Sequence, residues 1–302
     1  MAGIVWLASY PKSGNTWTRA LLANYIRDLD EPVRINNLGG GPIASARQAF
    51  DDNVGVEASD LLPEEIERYR PGVYEQIAAE LAESEHPSFL KVHDAYTYNA
   101  AGVPLMSKAA TQATLYIVRN PLDVAVSFAH HSGVKPKKSV KWMNQEDFSF
   151  VGRDDRVFNQ LKQRLLTWSG HVASWVDETG LNTMILRYED LKADTVETFG
   201  RVVRHSGLEF DEARVEKAVE FASIGRLQEQ ETEHGFGEKP FGMKAFFRRG
   251  KVGGWRDELG EELSQRIIDD HGTMMRRLGY LDTDGTVLDT QPDPVEIKEQ
   301  TG

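Results

Sequence analysis

Residues 8–17 read Ala8-Ser9-Tyr10-Pro11-Lys12-Ser13-Gly14-Asn15-Thr16-Trp17, and the periodicity of the chain changes across them. Before the loop, residues 4–10 form an apolar run, the pattern of a strand buried on both faces. After it, Trp17, Leu21 and Tyr25 recur at every fourth position, one face of a helix. A loop that joins a parallel strand to a helix N-terminus is an anion site. The first helical N–H groups lack intrahelical partners there, and the helix dipole adds partial positive charge. Gly14 lets the backbone approach a ligand closely, Lys12 adds a full charge, and Ser13, Asn15 and Thr16 add donors. A triphosphate-binding loop needs two glycines five apart, followed directly by Lys and Ser or Thr. Here Lys12 precedes the single Gly14, so that pattern does not fit.

Leu115-Tyr116-Ile117-Val118-Arg119-Asn120-Pro121 repeats the arrangement further along the chain. Asn120 suits a helix N-cap and Pro121 a first helical position. Arg119 therefore stands at the carboxyl edge of a strand, where α/β proteins bind ligands. Its alternative role is to pair with a local carboxylate such as Asp123. Ser127, two turns into the helix, can offer a hydroxyl to the same ligand. Further apolar runs at 88–93, 114–118 and 183–188 read as strands. Phe158, Leu161, Leu165, Trp168, Val172 and Trp175 predict one long helix ending near Gly180. Asp194-x-x-Glu197 predicts a capping box, with Gly207 as the stop. Strands alternating with helices give an α/β fold: one domain with a central parallel sheet flanked by helices. Segments 29–62 and 130–156 show weak periodicity and are either lids or plain surface insertions. His130, His131, Trp142, Phe148 and Phe150 in the second would suit an apolar or aromatic ligand, and equally an ordinary folded segment.

The formal net charge of −12 disfavours non-specific binding to nucleic acid or to an anionic membrane. There is no cysteine, hence no disulfide, thiolate metal site or thiol nucleophile. No run approaches the ~20 apolar residues of a membrane helix, and the N-terminus carries no secretory pattern. The expected setting is the cytoplasm. The domain is expected to span 1–281, with 282–302 a flexible acidic tail. The strand ending in Arg119 would repel the Mg²⁺ that kinase chemistry requires, so no metal is expected.

The loop at Tyr10–Trp17 resembles the 5′-phosphosulfate loop of the sulfotransferases that use 3′-phosphoadenosine-5′-phosphosulfate (PAPS), the cytosolic-type family and its bacterial relatives, whose pattern is Tyr-Pro-Lys-Ser/Ala-Gly-x-Thr-Trp. Arg119-Asn120-Pro121-Leu122-Asp123-Val124-Ala125-Val126-Ser127 resembles the family's 3′-phosphate motif. Phe246-Phe247-Arg248-Arg249-Gly250-Lys251-Val252-Gly253-Gly254-Trp255 resembles its late motif, with Arg249 in place of Lys. Leu90-Lys91-Val92-His93 resembles its Lys-x-His element, although Asp94-Ala95 then stands where animal members have Leu-Pro. Tyr188-Glu189-Asp190 resembles its Tyr-Glu-Asp element.

The resemblance implies a P-loop-like sulfotransferase fold and a PAPS-dependent transfer of a sulfuryl group to a small-molecule hydroxyl or amine. It implies that Lys12 contacts the bridging and sulfuryl oxygens and that Ser13, Gly14, Asn15 and Thr16 cradle the 5′-phosphate. Trp17 then stacks on adenine, with Tyr188 near it. Arg119, Ser127, Arg248, Arg249 and Gly250 hold the 3′-phosphate. His93 is the base, and Lys91 supports Lys12. Ile224 stands where the family places an adenine-stacking Phe. The animal dimerisation element is not recognisable, which leaves monomer and homodimer open. The rival readings are a metal-dependent kinase and a nucleotide-binding scaffold without catalysis.

Overall fold

The computed structural model describes residues 3–81, 83–152, 156–240, 242–248 and 250–289. Its centre is a four-stranded parallel sheet in the order β2-β1-β3-β6, built from β1 (Ile4–Ala8), β2 (Ser88–Val92), β3 (Thr111–Val118) and β6 (Thr183–Arg187). Two two-residue strands, β4 (Ser149–Phe150) and β5 (Gln163–Arg164), pair antiparallel beside it. The helices are α1 (Asn15–Arg27), α2 (Arg47–Val54), α3 (Pro63–Glu80), α4 (Pro121–Ser132), α5 (Pro136–Met143), α6 (Trp168–Val176), α7 (Tyr188–Ala193), α8 (Thr195–His205), α9 (Glu212–Phe221), α10 (Ile224–His234) and α11 (Glu261–Arg277).

Alternate residues of β1 enter two separate cores. Ile4, Trp6 and Ala8 pack with Leu90, Val92, Tyr116 and Val118 on one face. Val5 and Leu7 pack with Phe89, Leu115, Ile117 and Leu186 on the other. Both faces are covered, which is why the strands read as continuous apolar runs rather than alternating ones.

The strand register decides where ligands can bind. Ala8 lies opposite both Val92 and Tyr116, and Val118 lies opposite Arg187. The residues that follow the four strands therefore emerge at one edge. Chain order reverses about β1, which has β2 on one side and β3 on the other. The crevice beyond its carboxyl end is the position where such sheets take ligands.

Helix ends follow their local chemistry. Asn120 caps α4 by accepting a hydrogen bond from Leu122 N at 3.0 Å, and Asp194 caps α8 through Glu197 N at 3.1 Å. The predicted long helix over 158–175 is shorter: only Trp168–Val176 is helical. Thr167 caps it through Gly170 N at 2.9 Å, and Leu166 before it has a positive φ of 59°. Phe158, Leu161 and Leu165 precede that cap. Leu161 N donates to Ser45 O and Leu165 N to Phe148 O, so this stretch spends its backbone on neighbouring loops rather than on a helix. Segment 29–62 contains α2, and segment 130–156 contains α5 and β4. Beyond Leu281, Leu288 N donates to Tyr280 O and Asp289 pairs with Arg256 at 2.9 Å. The expected tail thus folds back as far as Asp289, while 290–302 lie outside the described residues. Among the described residues no helix is long and apolar enough to cross a membrane.

Candidate active site

A cavity of about 1130 Å³ opens at this edge of the sheet. It exceeds the ~300–1,000 Å³ of an ordinary single-ligand pocket. Lys12, Gly14, Asn15, Thr16 and Trp17 line it from the first loop and α1, Lys91 and His93 from the end of β2, and Arg119 and Ser127 from β3 and α4. Tyr188, Arg248 and Gly250 complete the set. Of the residues singled out from sequence, Ser13 is not on the wall: it is fully buried and its hydroxyl has no partner. Arg249 lies outside the described residues.

The first loop is held by its own short side chains. Asn15 donates its amide to Leu7 O at 2.8 Å and to Ser9 Oγ at 3.2 Å, so this side chain ties the loop to the strand. Gly14 has a φ of 111°, and a Cβ there would come within 2.8 Å of the Tyr188 ring. Glycine is therefore required both by the backbone and by the close approach of α7. Lys12 also sits in the left-handed region, with φ 74°. Trp17 is fixed by an indole N–H donated to Ala222 O at 2.9 Å and packs edge-on against Tyr188, 5.7 Å between centroids. With Ile224 and Leu227, these rings form an apolar slot in the cavity wall.

The cations are held differently at the two ends. At one end, the Arg119 guanidinium lies 4.5 Å from the centre of the Tyr188 ring and donates to Lys251 O at 3.1 Å. Its contact with Asp123 is longer, at 3.5 Å. Asp123 instead accepts from Gly253 N and Trp255 N, each at 2.9 Å, which straps the glycine-rich segment to α4. The near end of that segment is strapped by Glu231, which accepts from Phe246 N at 2.8 Å and Phe247 N at 2.9 Å. Arg248 pairs with Glu258 at 3.1 Å.

At the other end, Lys12 has its pKa lowered to about 7, by burial first and then by Lys91 and Arg119. Lys91 pairs with Glu238 at 2.9 Å, and Arg19 pairs with the same carboxylate at 2.6 Å. Burial works to raise the Glu238 carboxyl, but these two cations outweigh it and hold it at about 2. Glu238 comes from a loop with no recognisable signal, and sequence reasoning missed it. It also missed Glu231, a buried residue of α10 whose partners lie on the distant 246–247 stretch.

His93 is half-buried at the cavity wall, and its Nδ1 lies 2.8 Å from Ser9 O. A carbonyl only accepts, so Nδ1 carries the proton and Nε2 holds the lone pair. Burial, reinforced by Lys91, pushes the His93 pKa well below its ordinary value, so the imidazole is neutral at pH 7. Asp94, next to it, does not face the cavity. It is buried against Arg70 at 2.8 Å. Trp142 and Phe148 stack on one another and pack on Phe128, whereas Phe150 and His131 reach the cavity wall. Among the described residues no cluster of His, Cys, Asp or Glu could hold a metal ion.

The sulfotransferase domain family model matches residues 3–279. Among curated proteins, flavonol 4′-sulfotransferase of Flaveria chlorifolia is 23% identical over 273 residues, which cover 87% of this chain and 76% of the relative. Cytosolic sulfotransferase 13 of Arabidopsis thaliana is 25% identical over 272 residues, 86% of this chain and 73% of the relative. Among solved structures, retinol dehydratase in complex with androsterone and the inactive cofactor PAP shares the fold. Its TM-score is 0.57 at 22% identity, covering 90% of this chain and 80% of that one. A mouse sulfotransferase complexed with PAP has a TM-score of 0.57 at 19% identity, covering 91% and 85%.

Proposed function

Because the chain belongs to the sulfotransferase domain family, we propose that it transfers the sulfuryl group of PAPS to a hydroxyl or amine of a small-molecule acceptor, with His93 as the base. The observation that carries this reading is the meeting of two cationic groups in one cavity, Lys12 with Lys91 at one end and Arg119 with Arg248 at the other. A nucleotide bearing phosphate at both its 3′ and 5′ positions suits two such cationic groups in one cavity. The slot of Trp17, Tyr188, Ile224 and Leu227 suits its base. The residues fit the donor in a further way: the Nε of Arg119 is buried without a hydrogen-bond partner, as a guanidinium kept for an incoming anion would be.

The chemistry follows from the side chains. Nε2 of His93 removes the acceptor proton as its oxygen or nitrogen attacks sulfur in line. The S–O bond to the nucleotide breaks, and negative charge builds on the departing oxygen. Lys12 neutralises that charge. The rate gain comes from positioning and preorganised charge. His93 is neutral before the step, so it can take the proton without first losing one. The acceptor end, walled by Ile43, Phe150, Val151, Phe158 and Phe246, suits an apolar or aromatic molecule.

Calorimetry with 3′-phosphoadenosine 5′-phosphate (PAP) tests the donor site. Tight binding of PAP is expected, with no comparable heat from ATP and Mg²⁺; the reverse order would remove the reading in favour of a kinase. The same titration has a pH signature. Lys12 sheds its proton above about pH 7 in the free protein, whereas a bound 5′-phosphate favours the ammonium form. Binding above that pH must therefore take up a proton, and affinity falls by up to about tenfold per pH unit as pH rises further. Well below pH 7 Lys12 is already charged and this uptake vanishes. At pH 8, buffers of different ionisation enthalpy should report uptake approaching one proton. An uptake of zero there would put the anion away from Lys12. Incubating extracts with radiolabelled PAPS, then identifying the labelled product by mass spectrometry, tests the acceptor.

A further inference from the structure

Lys12 does not face the cavity as a free side chain. Its Nζ lies 3.3 Å from His131 Nδ1 and 4.2 Å from the centre of the Phe246 ring. The two rings stand edge to face, 6.1 Å apart at 80°, with the amine against both. The other charged or titratable groups acting on Lys12 are Lys91 at the end of β2, Arg119 at the end of β3 and Glu238 on its loop. The two cations repel it, and Glu238 is already taken by Lys91 and Arg19. His131 is therefore its near hydrogen-bond partner. His131 makes no ion pair among the described residues, whereas its neighbour His130 turns outward to Glu258.

We propose that His131 is a positioning residue for sulfuryl transfer: its Nδ1 accepts from the Lys12 ammonium and, with Phe246, holds that charge at the point where the bond to the leaving oxygen breaks. The proposal rests on the reading of Lys12 as the cation of the sulfuryl end.

An ammonium has three donors and no lone pair, so His131 must present a bare Nδ1. Burial, then Lys12 and Lys91, hold the His131 pKa at about 4, so the ring is neutral and able to accept. The need for such a clamp follows from the side chain. A lysine carries a point charge on four rotatable carbons, and fixing it costs rotamer entropy. A charge fixed before the reaction stabilises the transition state without reorganisation. His131 lies four residues beyond Ser127 on α4, so one helix face carries the 3′-phosphate donor and the Lys12 clamp. Their spacing is set by backbone rather than by loops.

Three substitutions separate a hydrogen-bonding role from mere filling of the wall. His131→Phe keeps the ring and removes the acceptor. His131→Ala removes both. His131→Asn is smaller than His but puts an oxygen where Nδ1 stands. Transfer from PAPS to 2-naphthol would be followed by chromatography and PAP affinity by calorimetry. The reactivity of the Lys12 amine toward acetic anhydride would be read peptide by peptide in a mass spectrometer. Phe and Ala should each lower kcat by about 10–10²-fold, the scale of a misplaced catalytic group. Measured well below pH 7, where Lys12 is charged with or without its acceptor, PAP affinity should stay within about twofold, because α4 and the first loop remain. His131→Asn should recover most of the rate. Loss of the acceptor destabilises the ammonium form, so Lys12 should label faster at pH 7 in the Phe variant and at the wild-type rate in the Asn variant. Full activity in His131→Phe overturns the proposal, as does an Asn variant no better than Ala. A wild-type protein that binds no PAP would instead remove the donor reading beneath it, an outcome the calorimetry distinguishes.

Discussion

His93→Asn should lower kcat by about 10²–10⁴-fold while leaving PAP binding intact. The choice of asparagine separates two things that alanine would merge. In the native protein Nδ1–H donates to Ser9 O at 2.8 Å, and that bond anchors the end of β2 to the loop that carries Lys12. An asparagine amide can make the same donation, so the loop keeps its place. What it lacks is any atom at the position of Nε2. A large fall in kcat with unchanged PAP affinity would therefore come from the missing base. Equal loss of rate and PAP affinity would mean that the imidazole serves only to hold the loop, and wild-type turnover would end the base assignment. The pH profile gives an independent reading. Burial lowers the His93 pKa well below its ordinary 6.5, so the base form persists into acid. The acid limb of kcat/KM should accordingly lie well below pH 6.5, and no fall assignable to this histidine should occur between pH 7 and 6.5.

The parts of this site legible in the sequence are those whose chemistry is local. Residues 4–17 carry their own instructions: an apolar strand, a small turn residue at φ 111°, and a helix whose first N–H groups face outward. Asn120 and Pro121 are similarly self-contained, and both act at the start of α4 as their types predict. Residues that depend on the path of the chain left no such trace. Glu238 matters because its loop runs between α1 and β2, a juxtaposition that composition cannot reveal. His131 was one of an adjacent histidine pair, and only the helix phase turns it toward Lys12 while His130 faces Glu258. The misread helix has a related cause. Leu161, Leu165 and Trp168 are spaced three and four apart because each is buried, but a non-helical stretch that passes through β5 and leads into α6 can bury residues at the same intervals. The cap at Thr167 is the local signal that outweighs them.

Asp94→Ala should destabilise the fold by about 3–5 kcal/mol, the usual cost of leaving one partner of a buried ion pair unpaired. Asp94 and Arg70 are 1% and 3% exposed, and the guanidinium grips both carboxylate oxygens, at 2.8 and 3.2 Å. Removing the carboxylate strands a charge in the core; removing Arg70 does the same with opposite sign. Replacing both, as Arg70→Met with Asp94→Leu, removes both desolvation costs and should restore most of the stability. Urea denaturation of the three variants measures this directly, and single substitutions costing less than about 1 kcal/mol would show the pair to be incidental. The pair also explains the departure from the animal Leu-Pro pattern. Asp94 belongs to a core shared with α3, so the change beside the base is not a change in what the acceptor touches. The two are nonetheless coupled. Arg70 donates to Tyr74 Oη at 3.0 Å, and Tyr74 donates in turn to Ala44 O at 2.8 Å, just behind the Gly41–Ile43 wall of the cavity. Trp175 donates to Asp94 O at 2.9 Å. Loss of the ion pair therefore loosens the chain on both sides of His93. In the single variants, the acceptor KM should rise before PAP affinity changes, because the nucleotide end is held by α1, α4 and the 246–255 segment, none of which leans on Arg70.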